Sequence, residues 1–314
     1  MDYFRNLNRL EFIVTYLCTS KCKHCFVTEK VKKKYPGYLA KDLAISIFKK
    51  ITSKYKLDSV MTFGGEAMLF PDTTLAIHNM AREIGIPKRQ IITNGFWSKD
   101  FDKISSLAKM TASAGVNEVS FSVDYFHNEY ISIEIVKKTA EELLSAGIVN
   151  IKWNPCWVKS SEDNNKYNQK TKELLDDLSY LNIKISKGNI MDARGSALKE
   201  FKKYLPKKSI KSGWKCGDDP YTDKPDDIRG ICIEPNGSFN ICPNFKADCQ
   251  RDDILNIFKK YNPYDEVMTK IILEDGMKGL VKYCEDHQIE IMEQEFYSVC
   301  DMCQKINNRI KNGG

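Results

Sequence analysis

No apolar run in this chain approaches the roughly 20 residues that a membrane-spanning helix needs. The N-terminus, MDYFRNLNRLEFIVTYLC, carries Asp, Arg, Asn and Glu where a signal peptide requires an unbroken apolar stretch. There is no internal repeat and no low-complexity segment. Charge of one sign is scarce as well: 48 Lys and Arg against 42 Asp and Glu leave +6. The short basic run Val31–Lys34 reads as a solvated loop. These absences exclude membrane-spanning, secreted, collagen-like and disordered classes and give no support to a nucleic-acid partner. A cytoplasmic globular chain remains. At 314 residues it is long for one compact core and short for three domains.

Eleven cysteines stand out against that background. A reducing cytosol would not keep them paired, and an odd number cannot close a disulfide framework. Several cluster at short spacings, which points to metal ligands.

Strand-like and helical patterns alternate through the first two thirds. Leu10–Tyr16, Asp58–Phe63, Gln90–Phe96, Glu118–Val123, Asn150–Val158 and Asn182–Ile190 read as strands. Between them Leu39–Ile51, Pro71–Ile84, Phe101–Ala114, Ile133–Ala146 and Thr171–Leu181 read as helices. Six strand-then-helix units predict a parallel sheet with right-handed crossovers, closed part-way into a TIM-like (β/α)6 barrel. Ligands in such a sheet sit at the C-terminal strand ends. The character changes after about Leu205. An acidic insertion, Asp218 to Asp227, precedes a hairpin whose turn is Pro235-Asn236-Gly237. The tail Ile254–Lys311 is helical, with an interruption near Ser298–Cys303. The expected division is a barrel over 1–205 and a small α+β domain over 206–314.

Cys18-x3-Cys22-x2-Cys25 directly follows the first strand. Three thiolates this close can hold three irons of a cubane cluster and leave the fourth open. A zinc site or a closed ferredoxin-like cluster is the alternative, but no second cysteine pair and no fourth cysteine occurs before Cys156. The three-then-two spacing on this loop resembles the radical SAM superfamily. The resemblance implies that S-adenosylmethionine chelates the open iron and that one electron cleaves its C–S bond to a 5′-deoxyadenosyl radical. His24 stands where most members carry an aromatic residue beside the adenine.

Gly64-Gly65-Glu66 ends the second strand, as the family's glycine-glycine-glutamate motif does. Glycines let backbone carbonyls approach the cofactor's ammonium group, and Glu66 would add a carboxylate acceptor. The ends of strands three and four add Asn94, Ser122 and Asp124 as further cofactor contacts. His127 reads as a capping or surface histidine, with a proton shuttle as the alternative.

Cys216, Cys242, Cys300 and Cys303 resemble the auxiliary [4Fe–4S] ligands of the SPASM/twitch class. Two [4Fe–4S] clusters are therefore expected, one catalytic and one closed by four thiolates as an electron relay. A four-cysteine zinc site is the alternative. The acidic insertion is longer than usual for a twitch segment and reads as a solvated loop. Cys156, Cys232 and Cys249 are candidate hydrogen-atom donors, whereas Cys284 fits a small buried hydrophobe.

The layout is similar to epipeptide-type peptide epimerases, which share a strand end like Thr93–Trp97 and a closing Cys-x2-Cys. Where those enzymes carry a donor cysteine beside the hairpin ligand, this chain has Pro243. The first strand begins near residue 10, leaving no leader-recognition domain before it, which weighs against a peptide. The expectation is modification of a ribosomally made peptide, by epimerisation or cross-linking. The alternatives are an aminocyclitol or sugar dehydrogenase or epimerase, and a non-enzymatic two-cluster electron-transfer protein. A flavodoxin or ferredoxin would supply electrons.

Overall fold

The computed structural model describes residues 1–209, 214–219, 222–242, 245–290 and 295–311. The chain separates into two compact units. One comprises Arg9–Leu205 with Cys232–Gly237, and the other Met1–Asn8, Pro206–Ile231 and Ser238–Gly314.

The first unit is a partial α/β barrel. Its strands are β1 (Arg9–Thr15), β2 (Ser59–Gly64), β3 (Lys88–Thr93), β4 (Glu118–Phe121), β5 (Ile151–Trp153), β6 (Cys156–Trp157), β7 (Lys184–Ile185) and β8 (Asn189–Ile190). Six of them lie in the order β1-β2-β3-β4-β5-β7, every neighbouring pair parallel. The helices are α1 (Glu29–Lys34), α2 (Lys41–Thr52), α3 (Pro71–Ile84), α4 (Phe101–Ser113), α5 (Tyr125–Asn128), α6 (Ile133–Ser145), α7 (Lys166–Asp177) and α8 (Gly195–Glu200). A parallel strand is covered on both faces, and β4 is buried at all four positions. Ile91, Val119, Phe121 and Trp153 from the strands share one core with Leu107, Ala140, Leu143 and Leu175 from the helices. Helix starts are capped as their sequences dictate: the Asp100 carboxylate accepts from Asp102 and Lys103 N–H at α4, and Asn165 does the same for α7.

The last two expected strands are each split. Pro155 has no N–H to give a ladder, so β5 stops at Trp153 and the chain resumes as β6. That strand pairs with β8 in a separate two-stranded sheet. The expected helix Thr171–Leu181 starts earlier, at the Asn165 cap, and Ser179–Leu181 becomes a 3-10 turn.

Between β6 and α7, the loop is tied to one side chain. Asn168 is buried; its amide donates to the carbonyls of Val158, Ser160 and Asp163 at 3.2, 2.7 and 2.9 Å and accepts from Val158 N–H at 3.0 Å. Each buried backbone group left unpaired costs about 1–3 kcal/mol. Asn168→Ala is expected to lower the melting temperature by about 6–12 °C, read by circular dichroism. A shift under about 2 °C would mean that water replaces the amide at little cost.

The second unit is α+β. Its strands are β9 (Lys208–Ser209), β11 (Ser238–Cys242), β12 (Phe245–Asp248) and β13 (Glu295–Phe296). β11 and β12 form an antiparallel pair with a bulge before Cys242, and β13 pairs with β9. The strand β10 (Gly230–Ile233) precedes the turn Glu234–Gly237, closed by Gly237 N–H on the Glu234 carbonyl at 2.8 Å. Among the described residues four helices follow: α9 (Ile254–Lys260), α10 (Val267–Glu274), α11 (Gly276–Asp286) and α12 (Val299–Lys311). Met268, Ile272, Met277, Leu280, Cys284, Met302 and Ile306 make its core, so Cys284 is a small buried hydrophobe.

Three features depart from the sequence expectation. Residues 1–8 belong to this second unit and not to the barrel, because Phe4 stacks on Phe258 at 3.8 Å and Tyr3 meets Tyr261 edge-on at 5.9 Å. The helical interruption falls before Val299, leaving Cys300 and Cys303 in the first turn of α12. The acidic insertion pairs carboxylates with backbone donors: Asp223 accepts from Arg229 and Gly230 N–H, Asp218 from Lys215 N–H and Asp219 from Cys300 N–H. Paired with backbone donors, these groups organise the loop.

Candidate functional site

The loops at the C-terminal ends of β1 to β6 carry the chemistry. Cys18, Cys22 and Cys25 lie on the loop after β1, and the segment after β2 clamps its entry. Gly65 N–H donates to the Thr15 carbonyl at 2.7 Å and Glu66 N–H to the Leu17 carbonyl at 2.9 Å. Both glycines are required for that approach. A Cβ on Gly64, whose φ is +144°, would lie 2.3 Å from the Thr15 oxygen, and one on Gly65 would lie 2.0 Å from the Leu17 oxygen.

Hydrogen-bond donors converge on the three sulfurs. Ser20 N–H and the Asn94 amide point at Cys18 Sγ, each at 3.4 Å. Val27 N–H points at Cys25 Sγ at 3.4 Å, and Ser20 Oγ lies 2.8 Å from Cys22 Sγ. Such donors favour thiolate, the form that ligates metal, so the residues fit a thiolate-held metal centre. Burial, reinforced by Glu66, pushes the Cys18 thiol up to about 11, and burial raises Cys25 too. Binding a metal here must therefore release thiol protons.

Glu66 is enclosed. Its carboxylate accepts from Thr93 Oγ1 at 2.9 and 3.0 Å, Asn94 N–H at 2.9 Å and Met68 N–H at 3.1 Å. Burial raises it to about 7 against the pull of those donors. These bonds tie the end of β2 to the end of β3. Thr93, which also takes the Trp97 indole N–H at 2.9 Å, is the hub of that tie. Its place in the strand-end motif is the only sequence signal of this role.

Asp124 caps α5 and is fully buried, accepting from His127 N–H at 3.0 Å and Cys156 N–H at 3.1 Å. Both its oxygens lie 2.9 Å from His127 Nδ1. Burial opposes the Asp124 charge, yet His127 outweighs it and holds the carboxyl down at about 2. Burial likewise opposes the charged ring of His127, and Asp124 and Cys22 overcome it, leaving the ring well above its usual value. His127 is thus an enclosed partner of the cysteine loop rather than a surface residue, with its side chain 19% exposed. The i, i+3 spacing of Asp124 and His127 was the available signal. The ligand atoms of Cys22, His24 and His127 lie within 4.8 Å of one another. His24 packs on Phe126 at 4.8 Å, and burial lowers its pKa to about 4. Asn94, Ser122, Asp124 and His127 line a pocket enclosing about 190 Å³, part of it open to solvent.

Of the other cysteines, Cys156 follows Pro155 and feels the charges of Asp124, Asp192 and Cys22, after burial the main causes of its raised pKa. Cys232 packs in the barrel unit with Tyr16, Val27 and Cys25. Cys249 lies in the second unit, after β12. Pro243 is outside the described residues.

The four remaining cysteines converge in the second unit. Burial and then the fields of Cys300, Cys303 and Cys242 push Cys216 up to about 12. Burial, Asp219, Cys303 and Cys242 do the same to Cys300. Cys300 and Cys303, three apart, share one face of the α12 N-terminus, where the helix dipole favours anions.

Residues 12–152 match the profile of the family described as Radical SAM superfamily. GTP 3′,8-cyclases of Clostridium botulinum strains Hall and Langeland are each 26% identical over 166 residues, covering 51% of this chain and 50% of theirs. The chain thus spans about half the length of the curated relatives it matches. Native anSMEcpe with bound AdoMet superposes with a TM-score of 0.55 at 13% identity, over 98% of this chain and 97% of that one. BtrN in complex with AdoMet and 2-DOIA gives 0.50 at 14%, over 93% and 98%. These two structures show a shared fold. Among the described residues no helix is long and apolar enough to cross a membrane.

Proposed function

We propose that this chain, whose residues 12–152 match the radical SAM superfamily profile, is a radical SAM enzyme that modifies a ribosomally made peptide by hydrogen-atom abstraction, leading to epimerisation or cross-linking. A [4Fe–4S] cluster on Cys18, Cys22 and Cys25 would supply the electron that cleaves S-adenosylmethionine and so generates the abstracting radical. The carrying observation is the set of donors aimed at the three sulfurs of the loop after β1. Gly64 and Gly65 hold that loop in place, Asn94 bridges it to β3, and Ser122 and Asp124 form the adjoining pocket wall. Glu66 acts on the cofactor site by positioning Asn94.

Cys216, Cys242, Cys300 and Cys303 suit an auxiliary [4Fe–4S] cluster, since four thiols sit within one another's fields. That site also favours the second reading, a small-molecule dehydrogenase of aminocyclitol or sugar substrates, in which it would accept the substrate's electron. Cys156 is the hydrogen-donor candidate best placed for epimerisation, because it shares the barrel unit and the field of Cys22. A flavodoxin or ferredoxin is the fitting electron source.

Anaerobically reconstituted protein, given dithionite and S-adenosylmethionine, is expected to form 5′-deoxyadenosine, measured by chromatography. Iron-loaded protein that forms none would be an electron-transfer protein instead. With a candidate precursor peptide in D2O, one deuterium in an otherwise unchanged product marks epimerisation, and loss of two hydrogens marks cross-linking. Turnover only of an aminocyclitol would favour the second reading.

A further inference from the structure

We infer that Asp124 and His127 form a built-in hydrogen-bond donor to the Cys22 sulfur, and that this bond sets how easily the metal centre of the first cysteine loop accepts an electron. The inference rests on the cluster assignment proposed above.

The geometry leaves His127 little freedom. Asp124 is fully buried, and its two oxygens are committed to His127 Nδ1, His127 N–H and Cys156 N–H. With Nδ1 held by the carboxylate, Nε2 is the ring nitrogen left for the cysteine loop. The ligand atoms of His127 and Cys22 lie within 4.8 Å of one another. The His24 ring stands edge-on to it at 4.9 Å and rests in turn on Phe126, so the imidazole is held from its other side. Ser20 Oγ, 2.8 Å from the same sulfur, is the second donor.

A metal-bound thiolate has no proton and can only accept, so the ring nitrogen facing it must donate. The Asp124 carboxylate supports that state, because it stabilises a ring carrying hydrogen on both nitrogens. Hydrogen bonds to cluster sulfurs make reduction easier, since they disperse the charge that the added electron brings. Cys22 therefore receives a side-chain donor backed by a buried carboxylate, whereas Cys25 receives the Val27 backbone N–H. His127 acts through Cys22 and is a positioning residue.

The test is a redox titration of reconstituted protein without S-adenosylmethionine, followed by the electron paramagnetic resonance of the reduced cluster. His127→Leu is expected to make the cluster about tenfold harder to reduce, about 59 mV lower for one electron. His127→Gln, which keeps an N–H of similar reach, is expected to recover most of the shift. If His127→Leu fails to take up iron, His127→Asn replaces it, because that amide is polar but too short to reach the sulfur. It should show the same lowered potential. An intact protein with a reducible cluster whose short or apolar variant has an unchanged potential overturns this inference alone. An intact protein without a reducible cluster overturns it together with the cluster assignment.

Discussion

The combined Cys18→Ala, Cys22→Ala and Cys25→Ala variant is expected to hold about four irons where the intact protein holds about eight. It should form no detectable 5′-deoxyadenosine. The three sulfurs share one loop, so the variant strips that loop of every thiol. Removing all three also avoids a partly ligated cluster held on two thiolates. The four sulfurs around Cys216 belong to the other unit, so the irons that remain report on that site. Iron and sulfide assays, with metal analysis by mass spectrometry, separate the outcomes. About four irons with sulfide in the variant support an auxiliary cluster. One zinc there would make the site structural and remove the electron-relay argument. Unchanged iron in the triple variant would overturn the first assignment.

Gly65→Ala is expected to have the next largest effect. The added Cβ would lie 2.0 Å from the Leu17 oxygen, 2.5 Å from its carbonyl carbon and 2.8 Å from the Tyr16 oxygen. All three are backbone atoms that cannot turn aside as a flexible side chain would. Relief requires separating the two loops, which breaks the Gly65-to-Thr15 and Glu66-to-Leu17 bonds. Overpacking costs about 1–3 kcal/mol, and each lost bond adds about 1 kcal/mol. Cys18 directly follows Leu17, so the displacement reaches the first cysteine loop. We expect the first site to lose most of its iron and 5′-deoxyadenosine formation to fall at least about 100-fold, equivalent to about 2.7 kcal/mol at the transition state. Gly85→Ala is the control. Its φ of +85° makes a side chain unfavourable, but nothing lies within 4 Å, so it should cost about 1–2 kcal/mol and leave the iron unchanged. Equal iron in both variants and the intact protein would show that the clamp does not position the cysteine loop.

Much of this architecture is legible without coordinates. Apolar periodicity locates α3, whose ends are marked by Pro71 and Gly85, and β4, whose four residues are all buried. Cysteine spacing marks the loop after β1 as a candidate ligand loop, because metal ligation demands closeness that a short loop supplies by itself. The glycine pair after β2 is visible as a motif, since no other residue could sit there. Periodicity fails where one residue breaks a ladder. Pro155 splits an apolar stretch that reads as a single strand, and the two halves then pair with β7 and β8 separately.

The sequence by itself determined the alternating strand and helix order, the closely spaced cysteines Cys18, Cys22 and Cys25 and Cys300 and Cys303, and the strand ends that would carry polar groups. These are local properties, set by periods of two and 3.6 residues and by neighbours along the chain. Tertiary structure decided the rest. It enclosed Glu66 among Thr93, Asn94 and Met68, paired carboxylates of the acidic insertion with backbone donors, and placed residues 1–8 with helices more than 240 positions away. It also brought the His127 ring within 4.8 Å of the Cys22 sulfur, 105 residues apart. A buried polar group must find a partner wherever the chain brings one, and which partner that is depends on the packing of loops that have no period of their own.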